Sequence, residues 1–156
     1  MDIKYIKDDF QFIYRTSALI FNEDETKLLL FNVEGRNFFM PTGGKVNQLE
    51  ESLDAIKREI KEELGWDNLD YSFLAISEEF VNDKGLNNQQ INLIYKAIYK
   101  GEINENRFKG LEGDWINFEW IDTNNINNYE IYPIGIKKLL SDTNKIYHII
   151  DNEIAE

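Results

Sequence analysis

Hydrophobic and polar positions switch along this chain between the short period of strands and the longer period of helices. Phe10 to Phe21, Lys27 to Phe31, Asn37 to Met40, Tyr71 to Val81, Gln90 to Tyr99 and Trp115 to Ile121 are rich in β-branched and aromatic residues, which predicts strands. Two stretches carry helical signals instead. The first follows Ser52, a good N-cap, has Asp54 in its first turn and stops at Gly65. The second follows Pro133 in YPIGIKKLLSD, where a proline near the helix start costs no needed N–H. One helix between strands and another after the last long strand predict an α/β layered domain around a mixed β-sheet. Neither repeats nor linker-like tracts divide the chain, so residues 1–156 are expected to form a single domain.

Composition narrows the function. At 156 residues with 42% hydrophobic positions, the chain can bury a core of useful size. No apolar run approaches the roughly 18 residues of a membrane span, and the polar start MDIKYIKDDF lacks a secretory signal, so the expected location is cytoplasmic and without a membrane partner. Cysteine is absent, which excludes disulfides, thiolate metal sites and cysteine nucleophiles. A net charge of −12 disfavours extended nucleic-acid binding. A small phosphorylated ligand remains compatible with that charge if a bound cation cancels it locally.

The first helix carries the chemistry. At about 100° per residue, Leu53, Ile56, Ile60 and Leu64 share an arc of about 80° that predicts the core stripe. Glu59, Glu62 and Glu63 fill a neighbouring arc about 100° wide, with Ala55 expected to leave room above them. A solvated helix face tends to place Lys or Arg four residues after Glu, yet Glu59 is followed at that spacing by Glu63. Such a pair costs a few tenths of a kcal/mol on an exposed helix. A hard cation, Mg²⁺ or Mn²⁺, accounts for the segregation, because it takes oxygen ligands and relieves their repulsion. On this reading the three carboxylates present oxygens to one point beside the helix.

The spacing also matches a known pattern. Gly44, five residues, Glu50, seven residues, then Arg58-Glu59-Ile60-Lys61-Glu62-Glu63-Leu64-Gly65-Trp66 resembles the box of the Nudix family. Seven fixed positions would agree by chance in about one window in a hundred million. The likeness extends to the strands and turn of YRTSALIFNEDETKLLLFNVEGRNFFMPTGGKV and to FEWIDTNNINNYEIYPIGIKKLL near the end. The resemblance implies a Nudix-type α/β/α sandwich around a mixed β-sheet that hydrolyses nucleoside diphosphates linked to another group. It further implies Glu59, Glu62 and Glu63 as metal ligands, joined by the backbone carbonyl of Gly43, with Glu50 and Arg58 bracing loop against helix.

Pyrophosphate hydrolysis needs an aligned water and cations spread over the phosphate oxygens. Gly43 and Gly44 would let the backbone approach metal and phosphates. Lys45 could touch a phosphate or simply be a solvated lysine. Glu112, in GLEGDW, is a candidate extra base, the alternative being an exposed loop acid. The turn Pro41-Thr42-Gly43-Gly44 is one residue longer than the family's usual form, and Leu49 stands where a glycine usually precedes the first Glu. Gln89 and Gln90 replace a His-Glu pair that many relatives carry. Phe38, Phe39, Tyr95 and Tyr132 are candidates for stacking on a base, though strand aromatics are more often core. The expected partner is a small phosphorylated nucleotide, with a homodimer left open. An RNA 5′-end pyrophosphohydrolase and a non-catalytic nucleotide-sensing domain are the alternatives; the acidic balance weighs against the first and the complete set of box acids against the second.

Overall fold

Ser17 to Phe21 is buried at every position, and a strand covered on both faces reads as such an unbroken run. Ala18 and Ile20 enter one core with Leu29, Ile56, Ile60, Leu64, Phe118 and Trp120. Leu19 and Phe21 enter another with Leu28, Leu30, Ile94, Ile136, Leu139 and Ile149. One sheet therefore separates two hydrophobic layers.

The computed structural model describes residues 1–154. The strands are β1 (Lys4–Lys7), β2 (Phe10–Asn22), β3 (Lys27–Val33), β4 (Thr42–Lys45), β5 (Leu69–Asp83), β6 (Leu86–Tyr99), β7 (Arg107–Lys109), β8 (Ile116–Asp122) and β9 (Tyr147–Asn152). The helices are α1 (Ser52–Leu64) and α2 (Ile136–Leu139), with a 3-10 helix at Thr123–Asn128. The sheet runs β7-β8-β3-β2-β6-β5-β9, and β1 and β4 both pair with β2. The β2–β6 and β5–β9 pairs are parallel and the others antiparallel, which makes the sheet mixed. Helix α1 covers the first core; the 3-10 helix and α2 cover the second.

Several expectations need correction. Ser52 is not the N-cap. Glu51 takes that place without a side-chain hydrogen bond, and the Ser52 hydroxyl shares one with Tyr95 Oη at 2.7 Å. The helix after Pro133 is a single turn, and Asn37 to Met40 makes only isolated bridges, Phe31 with Met40 and Phe39 with Ile131. Strands β1, β7 and β9 went unpredicted, being short or outermost. The stop at Gly65 is where the sequence put it: its left-handed φ of 75° and its N–H bond to Lys61 O end α1.

The expected turn at Gly43 and Gly44 lies inside β4, paired with β2 through Ala18–Thr42, Ser17–Gly43, Thr16–Gly44 and Arg15–Lys45. Its glycines serve close approach. A Cβ on Gly43 would stand 2.3 Å from Thr16 O, and one on Gly44 would stand 2.1 Å from the Glu59 carboxyl carbon. β4 is thus pressed between β2 and the acidic face of α1.

Between β4 and α1, Glu50 N closes a turn on Asn47 O at 3.2 Å, with Leu49 in its third position. Leu49 has φ 61° and is fully exposed, so it bears the left-handed backbone without packing in return. Leu49→Gly should raise Tm by roughly 1–4 °C, corresponding to about 0.5–1 kcal/mol after the added freedom of the unfolded chain. A thermal melt of the two proteins checks this; a lower Tm for the variant would show that the turn carries no such strain.

Candidate active site

Arg58 is the centre of the polar side of α1. It grips Glu50 with two bonds, Nε to Oε1 at 2.8 Å and Nη2 to Oε2 at 3.0 Å. The same Nη2 donates to Lys45 O on β4 at 3.1 Å, and Nη1 donates to Glu59 Oε1 at 2.8 Å. A longer contact of 3.5 Å reaches Glu62 Oε2. One guanidinium therefore joins the turn, β4 and two helix acids. The bond from Arg58 holds the Glu50 carboxyl below its ordinary range, while its partners push the Arg58 pKa up further still.

The acids on this face differ in kind. Glu62 is exposed, Glu59 is largely covered, and Glu63 is buried at 8% exposure. Ala55 does not leave room above them; it is fully buried. Burial first, then the charges of Glu59 and Glu112, push the Glu63 carboxyl up to about 8, against a smaller opposing effect of Arg15. Burial also raises Glu59, with Arg58 acting against it. Glu63 Oε2 is buried and has no hydrogen-bond partner.

The expectation that three carboxylates point at one spot is corrected here. Among the described residues no group of three or more His, Asp or Glu side chains is gathered closely enough to hold a metal ion. The cause is Arg58, which draws Glu59 and Glu62 toward itself. The donor set nonetheless suits a hard cation: it offers oxygens only, two of its carboxylates are desolvated, and Glu63 Oε2 lacks the positive partner a cation would be.

A cavity of about 470 Å³ opens on the sheet face that carries the second core. At one end of this face the inward positions are apolar and covered by α2; at the other they are Arg15, Ser17, Ser77, Glu79, Asn92 and Asp151. Ser17 Oγ donates to Asn92 Oδ1 at 3.0 Å, and Ile134 N donates to Asp151 Oδ2 at 2.8 Å. The rim holds Phe38 and Tyr132, edge to face at 5.2 Å, with the Arg36 guanidinium 5.6 Å from the Phe38 ring. Arg15 lines the cavity, and its charge acts on both Glu63 and Glu79.

The other sequence candidates divide. Phe38 and Tyr132 border the cavity, whereas Phe39 packs against Tyr129 in the second core. Tyr95 lies against the α1 side and Phe73. Lys45 Nζ pairs with Asp2 at 3.3 Å. Glu112 is exposed, on a loop tethered by Leu111 N to Glu63 O at 2.9 Å, and its charge is felt by Glu59 and Glu63. Gln90 lines the cavity opposite Glu79 in the β5–β6 register. Sequence reasoning passed over Arg15 and Glu79. The available signal was a charge at an inward position of an otherwise apolar strand, Arg15 two before Ser17 and Glu79 two after Ser77.

The model of the NUDIX domain matches residues 12–139. Comparison with curated protein sequences gave no significant match. Among solved structures, the chain resembles a mutator MutT protein from Bacillus halodurans at a TM-score of 0.64 and 18% identity, covering 87% of this chain and 89% of that one. It also resembles the dihydroneopterin triphosphate pyrophosphohydrolase of E. coli at 0.58 and 15% identity, covering 82% and 92%. The NUDIX domain of Shewanella oneidensis NrtR, solved with ADP ribose, aligns at 0.61 and 14% identity, covering 83% and 84%. At these identities the likeness is one of fold.

A pH dependence follows from Glu63. Its folded pKa lies above the unfolded value near 4.5, so the folded state binds more protons between pH 4.5 and 8 and loses stability as pH rises through that window. In EDTA, stability should fall by on the order of 2–4 kcal/mol from pH 5 to pH 8. Glu63→Gln should flatten the slope and raise Tm at pH 8. Denaturant melts at the two pH values check both outcomes, and a wild type whose stability rises over this range would contradict the assignment.

Proposed function

The chain belongs to the Nudix family of hydrolases, and on that premise we propose that it hydrolyses a pyrophosphate bond in a small nucleotide-derived substrate, using Mg²⁺ or Mn²⁺ held on the acidic face of α1. The observation that carries this reading is Glu63, a buried carboxylate with an unpartnered oxygen beside two further helix acids. Glu59, Glu62 and Glu63 would be the side-chain ligands and Gly43 would add its carbonyl. When bound, the cation polarises the phosphate oxygens and offsets their charge.

The remaining work belongs to the chain. Arg58 and Glu50 fix the turn and hold β4 against the helix, so that Gly43 and Gly44 present backbone where a side chain would block the substrate. Arg15 supplies a positive charge on the cavity wall, felt by Glu63, and is suited to a substrate phosphate. Lys45 can add to it once released from Asp2. Either Glu63 or Glu112 takes the proton of the attacking water, which is general base catalysis by a positioned carboxylate. The single-turnover rate of Glu112→Gln separates the two: a large loss assigns the base to Glu112, and a rate close to wild type leaves it to Glu63, whose own Gln variant also removes a metal ligand.

Activity should vanish in EDTA and return with Mg²⁺ or Mn²⁺. Glu62→Gln and Glu63→Gln should each lower kcat by at least about a hundredfold while the protein stays folded. Phosphate release from a nucleotide panel, with circular dichroism on the variants, measures both; near-normal turnover in the two variants would remove the metal assignment. The acidic balance also favours small substrates. In a competition at physiological salt, free nucleoside triphosphate should outpace triphosphorylated RNA, and the reverse order would favour the RNA 5′-end reading.

A further inference from the structure

Helix α1 covers only part of its side of the sheet. The Ser52 hydroxyl, at the helix start, meets Tyr95 Oη, and Tyr95 pairs with Ala18. From there the helix packs over Ala18, Ile20 and Ala97. The same face continues the other way along the strands. There the register sets Phe12 with Phe80, then Tyr14 with Ile91, then Leu93 with Ile76, in three rows across β2, β6 and β5. These six side chains are partly exposed and belong to neither core. Tyr5 on β1 and Ile150 on β9 flank them at 53% and 65% exposure.

An apolar sheet face is normally shielded by a second layer. Five strands about 4.8 Å apart and three rows about 6.7 Å apart make this one about 24 Å by 20 Å. Two such faces laid together bury on the order of 1,000 Å² before side-chain relief is counted, which is where specific interfaces begin. Charge selects the occupant. A net charge of −12 repels nucleic acid and anionic lipid, and over most of the surface it repels another copy of the chain. On these rows that repulsion is weakest. Among the described residues Glu78 is their one acid; its Oε2 lies 2.7 Å from His148 Nε2, and Lys7 stands at the margin next to Tyr5 on the same face.

We propose that this face binds a second copy of the chain, sheet on sheet, in a two-fold dimer. Stacked sheets keep their strand directions within about 30° and lie about 10 Å apart, and two identical copies bring the same twist. In the order β1-β2-β6-β5-β9 the central strand is β6. A two-fold axis along it sets β6 on β6 and β1 of one copy over β9 of the other, so Ile91 in the middle row meets its own counterpart. Such an interface is closed and stops at two copies. The cavity opens on the opposite face of the sheet and stays free in the pair. Pairing does not depend on the hydrolase chemistry.

Sedimentation equilibrium of the full chain from about 1 to about 300 μM, a range that spans weak and stable interfaces, tests this. The wild type should reach twice the chain mass at the upper end. Ile91→Lys and Phe80→Lys should each weaken association at least about a hundredfold, because a like charge would be buried against its copy or in apolar surroundings. Leu111→Lys, at a site 68% exposed on the loop after β7, should leave it within about threefold of wild type. Circular dichroism confirms that the variants fold. A wild type that stays monomeric throughout overturns the proposal and leaves the face to a different partner. So does a dimer that tolerates both lysines on the face, or one lost equally in Leu111→Lys. Should the lysine variants not fold, chemical crosslinking decides. The chain lacks cysteine, so Ile91→Cys introduces a single thiol, and sheets about 10 Å apart hold two such thiols within reach of a bismaleimide of that length. Crosslinked dimer from Ile91→Cys and none from Leu111→Cys is expected; the reverse pattern refutes the pairing.

Discussion

The bidentate pair between Arg58 and Glu50 is the constraint on which the site depends. It closes a turn onto a helix, and the same guanidinium holds the backbone of β4 and leans two more acids against itself. Removing such an arginine leaves several largely covered carboxylates without a positive neighbour, which is far more costly than losing a surface pair. The arrangement also explains why Gly44 is a glycine: with Arg58 holding β4 against α1, the space beneath Glu59 admits backbone alone, whereas Gly43 is fixed by its close pairing with Thr16 and Ser17 of β2.

Arg58 offsets only part of the negative charge it gathers. Glu63 stays outside its reach and is desolvated beside Glu59, so the helix carries repulsion that a globule selected for stability alone would avoid. A metal-binding reading turns that cost into affinity, because a cation gains from every oxygen that water cannot reach. On that proposed reading Arg58 would have two effects: it would offset the repulsion between Glu59 and Glu62 without a cation, and it would compete with one for their oxygens.

Across the sheet buried polar groups recur beside the cavity. The face that is apolar under α2 becomes polar at Ser77, Glu79, Asn92 and Asp151, and the covering elements stop there. On the strands themselves only a charge at an inward position, Arg15 or Glu79, marks the change. The polar residues keep the inward alternation of the apolar ones, so they are buried by the register of their neighbours, and Ser77 Oγ and Glu79 Oε2 are left without hydrogen-bond partners. Arg15 lines the cavity, and its charge is felt by Glu63 as well as by Glu79.

The box from Gly44 to Trp66 was legible because its constraints are local. Helical spacing alone separates Ile56, Ile60 and Leu64 from the three glutamates, and Gly65 ends the helix by its own backbone freedom. The long strands were legible for a similar reason: runs such as Ala18 to Phe21 are apolar on both faces whatever lies opposite. What the sequence could not determine is which residues become neighbours across strands far apart in the chain. Whether Ser52 caps a helix or bonds Tyr95, whether Gly43 turns or pairs with Ser17, and whether Arg58 or a common point receives Glu59 and Glu62 all depend on contacts between separate segments. Arg15 and Glu79 are the clearest case. Each is an ordinary charge in its own strand, and only the packing of β2, β6, β5 and β9 side by side takes them out of water and sets them on one cavity, because desolvation is a property of the assembled sheet.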